Sequence, residues 1–176
     1  LSAVLICGII PLILISFFAH AYGDDYSYSV YVHDALSSGG SVAGAVIYTI
    51  RRYFFGWQGT FSATVLMSFS PNIISESSYF ITSFVMLGSL CFSTAKLTHT
   101  LICRCLGKGR ALWIIFSSAL LIAAIQFVPS PIQSFFWWNG SVYYTFFYSV
   151  MLLWIDRLIA VYRTDRTHPA VCAVLL

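Results

Sequence analysis

Between Arg110 and Asp156 the chain runs for 45 residues without an Asp, Glu, Lys or Arg. As a single helix this run would be about 68 Å long at 1.5 Å per residue, over twice a bilayer core of about 30 Å, so it has to turn back. Pro129, Pro131, Gln133, Asn139 and Gly140 mark the turn. They leave two expected crossings, at about 111–128 and 141–160. The other charge-free intervals are read the same way. One crossing is expected at about 1–20, a second at about 77–103, and the opening of a further one at 170–176. Residues 21–76 are then a long loop. Only 9% of the chain is charged and 59% is hydrophobic, against about 25% charge in a soluble domain. Mean hydropathy is +0.84. A soluble globular protein, a disordered tail and a nucleic-acid binder are excluded. The expected fold is all-α: a polytopic transmembrane helical bundle forming a single membrane domain.

Basic residues set the expected orientation. Arg104, Lys108 and Arg110 share one short connection, and Arg157, Arg163 and Arg166 close the last full crossing. Two crossings separate the groups, so both face one side, read as cytoplasmic. Asp24, Asp25, Asp34 and Glu76 then fall outside, with the turn Pro129–Gly140. The five cysteines form no disulfide framework and no Cys-x-x-Cys pair. The chain opens in one apolar run and closes in another, as expected of the N-terminal portion of a longer multi-spanning protein.

The outer loop is too long to be a bare connection. Ser41–Phe55 predicts an interfacial helix, with Val42, Val46, Ile50 and Phe54 towards lipid and Arg51 and Arg52 towards water. Residues 59–70 are apolar but dotted with Thr60, Ser62, Thr64 and Ser68, and Pro71 ends them. At about 18 Å they are short for a crossing and read as re-entrant or interfacial.

Three constellations in the expected outer regions carry candidate chemistry. Asp24-Asp25-Tyr26 puts two carboxylates just beyond the first crossing. An Asp after Gly is a good helix cap, but capping needs one acid, and adjacent residues point different ways. The pair can therefore divide labour, one structural and one facing a site. A carboxylate near lipid and Tyr rings holds a proton more readily, which suits a general base. Arg51-Arg52 followed by Trp57-Gln58-Gly59-Thr60 can hold a phosphate and the flat face of a sugar. An aromatic belt at headgroup depth is the simpler account of those residues taken alone. Phe135-Phe136-Trp137-Trp138-Asn139-Gly140-Ser141-Val142-Tyr143-Tyr144 opens the last full crossing, and an aromatic belt is again the simplest account, although Asn139 and Gly140 fit a structured turn better. Asn139 and Tyr143, four apart, share a helix face there. Within the spans, Lys96 and Asp156 lie at similar depth and are expected to meet across helices, since isolated charges there are costly. His20 and His33 make a poor metal signature.

The three motifs in order, Asp-Asp-Tyr, Trp-Gln-Gly-Thr-Phe and Trp-Asn-Gly-Ser-Val-Tyr-Tyr, resemble an uncharacterised family of bacterial multi-spanning proteins regarded as related to the GT-C fold glycosyltransferases. The resemblance implies a GT-C-like fold in the bacterial inner membrane with its active face outside. It implies transfer of a sugar from a polyprenyl-phosphate donor to an acceptor. Asp24 or Asp25 would be the general base, or a ligand for a divalent cation as in metal-dependent relatives. Trp57, Gln58 and Thr60 would line one wall, and Trp138, Asn139 and Tyr143 the other. Thr60 stands where the wider group often has Arg, which leaves Arg51, Arg52 or a residue outside this sequence to hold phosphate. The chain has no Gly-x-Gly-x-x-Gly or Gly-Lys-Ser/Thr phosphate loop, so a donor would be lipid-linked rather than a nucleotide sugar. The alternative is a non-catalytic transporter, flippase or scaffold for lipid-linked envelope oligosaccharides.

Overall fold

The structure, a computed structural model, describes residues 1–164. Arg166 and the further crossing expected to open at 170–176 lie outside the described residues. Every regular element among the described residues is helical. Two helices are long and apolar enough to cross a membrane, Glu76–Cys105 and Trp138–Arg163. They contain the crossings expected at 77–103 and 141–160. The first comprises α5 (Ile81–His99), preceded by a 3-10 turn and continued by π-helical Thr100–Cys105. The second comprises a short helix Trp138–Ser141, π-helical Val142–Phe146 and a final helix Phe147–Thr164.

The other two expected crossings are met by shorter apolar helices, α1 (Ser2–Ser16) and α6 (Arg110–Gln126). At 15 and 17 residues they extend about 23 and 26 Å, less than a bilayer core. The segment ahead of Pro129 does turn back as expected, through π-helical Ile132–Phe136.

Between α1 and α5 lie α2 (Asp24–Ser38), α3 (Val42–Gly56) and α4 (Ser62–Met67). Gly39, at φ +70°, closes α2 in the left-handed region that glycine tolerates. Ser41 then caps α3, its Oγ accepting the Gly44 N–H at 3.1 Å. α3 packs on α2 through stacked Tyr28 and Tyr53, with ring centroids 3.7 Å apart. The stripe of α3 expected to face lipid is unevenly covered. Val42, Val46 and Ile50 are half-buried on the side of fully buried Thr49, and only Phe54 is exposed. α4 has six residues, about 9 Å, and does not cross.

α5 is the central element, packed against α1, α6 and the final helix. The last long helix begins with α7 (Trp138–Ser141) and ends with α8 (Phe147–Thr164). α5 and α8 run in the same direction. Ser83 Oγ donates to the Phe135 carbonyl at 2.9 Å at one end, and Arg163 donates to the Arg104 carbonyl at the other. Arg104 and Arg163, one from each basic group, therefore meet at one end of the molecule. Met67, Met86, Leu90, Leu121, Ile125 and Phe135 form much of the apolar core between the helices.

The expected Lys96–Asp156 contact does not form. Asp156 is buried with one carboxylate oxygen unpartnered, whereas Lys96 is only half-buried. A long apolar stem lets an ammonium stay outside while the shorter acid is enclosed.

Candidate functional site

At the end opposite the basic residues, the two adjacent acids take different environments. Gly23, at φ +53°, is the residue before α2, so neither acid caps the helix; both lie in its first turn, where the helix dipole favours negative charge. Asp25 is wholly buried. Its Oδ1 accepts the Asn139 backbone N–H at 3.1 Å. Its Oδ2 accepts the Tyr22 N–H at 3.3 Å and the Tyr79 hydroxyl. The Tyr79 oxygen in turn accepts the Trp138 N–H at 2.9 Å. One carboxylate thus ties the start of α2 to the segment before α5 and to the first turn of α7. Burial raises the Asp25 pKa, and the hydrogen bonds from Tyr79, Tyr22 and Asn139 oppose that rise without cancelling it.

Asp24, its neighbour, is exposed and lines a cavity of about 180 Å³. The expected constellations meet there: Trp57 and Gln58 from the end of α3, Asn139 from α7 and Tyr143 just beyond it. Gln58 Nε2 donates to the Tyr143 hydroxyl at 3.0 Å and reaches the Tyr28 hydroxyl at 3.4 Å. Thr60 Oγ1 and the Tyr143 hydroxyl are 3.1 Å apart, so Thr60 supports that wall from behind. Burial pushes the Tyr28 phenol up to about 12, which keeps it a neutral hydrogen-bonding group at physiological pH. Asn139 and Tyr143 share one face, as their four-residue offset predicts.

The structure separates other candidates from this cavity. Trp138 does not line it; its indole N–H donates to the Leu66 carbonyl at 3.0 Å and so anchors α4. Arg51 and Arg52 are also absent from the wall. Arg52 donates to the Tyr31 hydroxyl and lies 5.7 Å from that ring's centre. Trp137 and Tyr144 of the third constellation also line the cavity, and so do Tyr28 and Met67, which the sequence reading missed. For Tyr28 a signal was available: it lies four residues after Asp24, the same helical offset as Asn139 and Tyr143.

Gly140 makes the close approach possible. A Cβ there would lie 2.6 Å from Trp137 Cε3 and 3.0 Å from the Gln133 carbonyl, so only glycine fits. The residues present do not fit a divalent cation. Asp25 has both oxygens turned to N–H or O–H donors, which leaves Asp24 as the one acid on the wall. Among the described residues no three His, Cys, Asp or Glu side chains gather at all, and a hard cation needs several oxygen ligands.

Compared with known proteins, the chain matches no family model, no curated protein and no solved structure.

Proposed function

We propose that this chain is part of a GT-C-like, multi-pass membrane glycosyltransferase. In this reading the shorter helices α1 and α6 also belong to the membrane bundle, in the bacterial inner membrane, with the basic end in the cytoplasm and the 180 Å³ cavity at the outer face. A sugar passes from a polyprenyl-phosphate donor to an acceptor hydroxyl. The supporting observation is the convergence of three sequence-distant motifs on one cavity with one exposed carboxylate, Asp24, on its wall.

The carboxylate of Asp24 takes the proton from the acceptor hydroxyl as its oxygen attacks the anomeric carbon. The bond from that carbon to the donor phosphate breaks, and polyprenyl phosphate departs with the bonding electrons. General-base help of this kind is worth about 10²–10⁴-fold, with positioning supplying the rest. Trp57 and Trp137 offer flat apolar faces for a sugar ring, and Gln58, held by Tyr28 and Tyr143, keeps that wall in place. Asp25 acts as a positioning residue through its bond to Asn139.

The test is transfer by the full-length protein in membranes supplied with a panel of polyprenyl-phosphate sugars. Asp24→Asn should cut transfer by at least 10²-fold while leaving the folded protein level unchanged. Full activity in Asp24→Asn at matched protein would remove the proposed base. Absence of transfer from every donor would favour the transport or scaffold alternative.

A further inference from the structure

Asn139 carries a feature that the mechanism above does not use. It is 3% exposed and lies on the cavity wall, yet its Oδ1 and Nδ2 both lack a hydrogen-bond partner. A buried amide unmet at both ends is costly and calls for an explanation. It is also held still. Its backbone N–H is bound to Asp25, and the next residue, Gly140, packs on Trp137 with no room for a side chain. A rigid polar group with unused bonding capacity is what a recognition site requires.

From this we infer that the Asn139 carboxamide reads a pair of adjacent hydroxyls on one neutral sugar ring; the inference rests on the glycosyl-transfer reading for its biological setting. One hydroxyl accepts from Nδ2 and its neighbour donates to Oδ1, which satisfies both ends at once. The other ligand chemistries fit less well. An anion would face the Asp24 carboxylate with no basic residue on the wall. An ammonium ion would suit Asp24 and the aromatic rings, but would leave Nδ2, a donor, without an acceptor. The cavity volume of about 180 Å³ suits one ring rather than a chain, being smaller than the 300–1,000 Å³ of drug-sized sites. Trp57, 79% exposed, is the part of the wall that can yield as the ring comes into contact with the amide.

The experiment is equilibrium binding to the full-length protein in detergent, read by tryptophan fluorescence. The probes are methyl hexopyranosides, each of their mono-deoxy derivatives, and tetramethylammonium. The expected result is saturable binding of at least one glycoside, weakened about tenfold by removing either of two adjacent hydroxyls and little by removing the others. Asn139→Leu should erase that distinction, and the deoxy series on the wild-type protein carries the test if the variant fails to fold. Tighter binding of tetramethylammonium, equal binding of all deoxy derivatives, or no glycoside binding would each overturn the proposal. Transfer is assayed separately. Asn139-dependent diol binding without transfer sinks the transferase and leaves this site standing, whereas transfer with no hydroxyl discrimination does the reverse.

Discussion

The two ends of the molecule are built differently. At the cavity end, polar groups are joined by bonds that reach far along the chain: buried Asp25 to Tyr79 and to Asn139, partly buried Trp138 to Leu66, and Gln58 to Tyr143. Along α5 and α8, several buried hydroxyls instead bond back to their own helix, as Ser93 does to Leu90, Thr98 to Thr94 and Ser149 to Thr145. The long helices therefore take their form from hydropathy and local bonds. The cavity takes its form from a few side chains whose loss would release several segments together.

Removing the Asp25 carboxylate is the strongest way to break this contrast. Asp25→Ala leaves the Tyr79 hydroxyl and the Tyr22 and Asn139 N–H groups without their acceptor. At about 1–3 kcal/mol for an unmet buried group, the expected loss is about 3 kcal/mol or more. Asp24→Ala, at an exposed position, should stay within about 0.5 kcal/mol. Thermal unfolding in detergent, with protease protection of residues 21–76 as a second readout, separates the two. Equal melting of both variants would show that Asp25 is not a tie between segments.

Glycine tells the same story at smaller scale. Gly140→Ala drives a Cβ into Trp137 and the Gln133 carbonyl and should cost about 1–3 kcal/mol. Gly88, exposed in the middle of α5, has no atom within 4 Å of the site a Cβ would take. Gly88→Ala should leave stability unchanged or raise it by up to about 1 kcal/mol through better helix propensity. A matched destabilisation at both positions would erase the distinction between a packed turn and an open helix face.

The difference explains what the sequence made readable. The long helices were legible because a charge in a bilayer core is so costly that the uncharged runs, 45 residues before Asp156 and a shorter one between Glu76 and Lys96, leave few alternatives. The lengths of α1 and α6 were less so, because hydropathy fades gradually at helix ends and places them poorly. At the cavity, the shared face of Asn139 and Tyr143 was legible from helical spacing, their place on a site wall only through the resemblance, and a division of labour between Asp24 and Asp25 from their adjacency. Which acid took which role was not, since the partners of Asp25 at Tyr79 and Asn139 lie 54 and 114 residues away. No local pattern encodes such bonds. That Arg52 bonds Tyr31 on the neighbouring helix and does not line the cavity was not legible for a similar reason.

Titration sharpens the comparison further. Asp25 has its pKa raised above the ordinary 3.8 by burial, so over the interval above that value the folded protein binds more protons than the unfolded chain. Stability contributed by this group is then fully present below pH 3.8 and declines as pH rises through the folded-state value. Asp25→Asn cannot titrate and should lose that slope, although its amide N–H₂ group meets donors where the acid met them as an acceptor. Melting temperatures of wild type and variant across mildly acidic to neutral pH give the difference slope. A difference that rose with pH in favour of the wild type would mean that the bonds from Tyr79, Tyr22 and Asn139 outweigh burial.

The smallest effect belongs to the helical end. Thr98 Oγ1 and Ser117 Oγ approach to 2.6 Å between α5 and α6, and Thr98 also reaches the Thr94 carbonyl at 2.7 Å. Thr98→Val keeps the shape, removes one cross-helix bond and leaves the Ser117 hydroxyl without that partner. Interhelical bonds of this kind average about 0.6 kcal/mol in a membrane protein, because the unfolded helices find other partners in lipid. Thr98→Val should therefore shift unfolding by well under a third of the Asp25→Ala effect. A loss equal to that of Asp25→Ala would mean that the long helices also depend on a few distant bonds, and the two ends of the molecule would then differ in degree only.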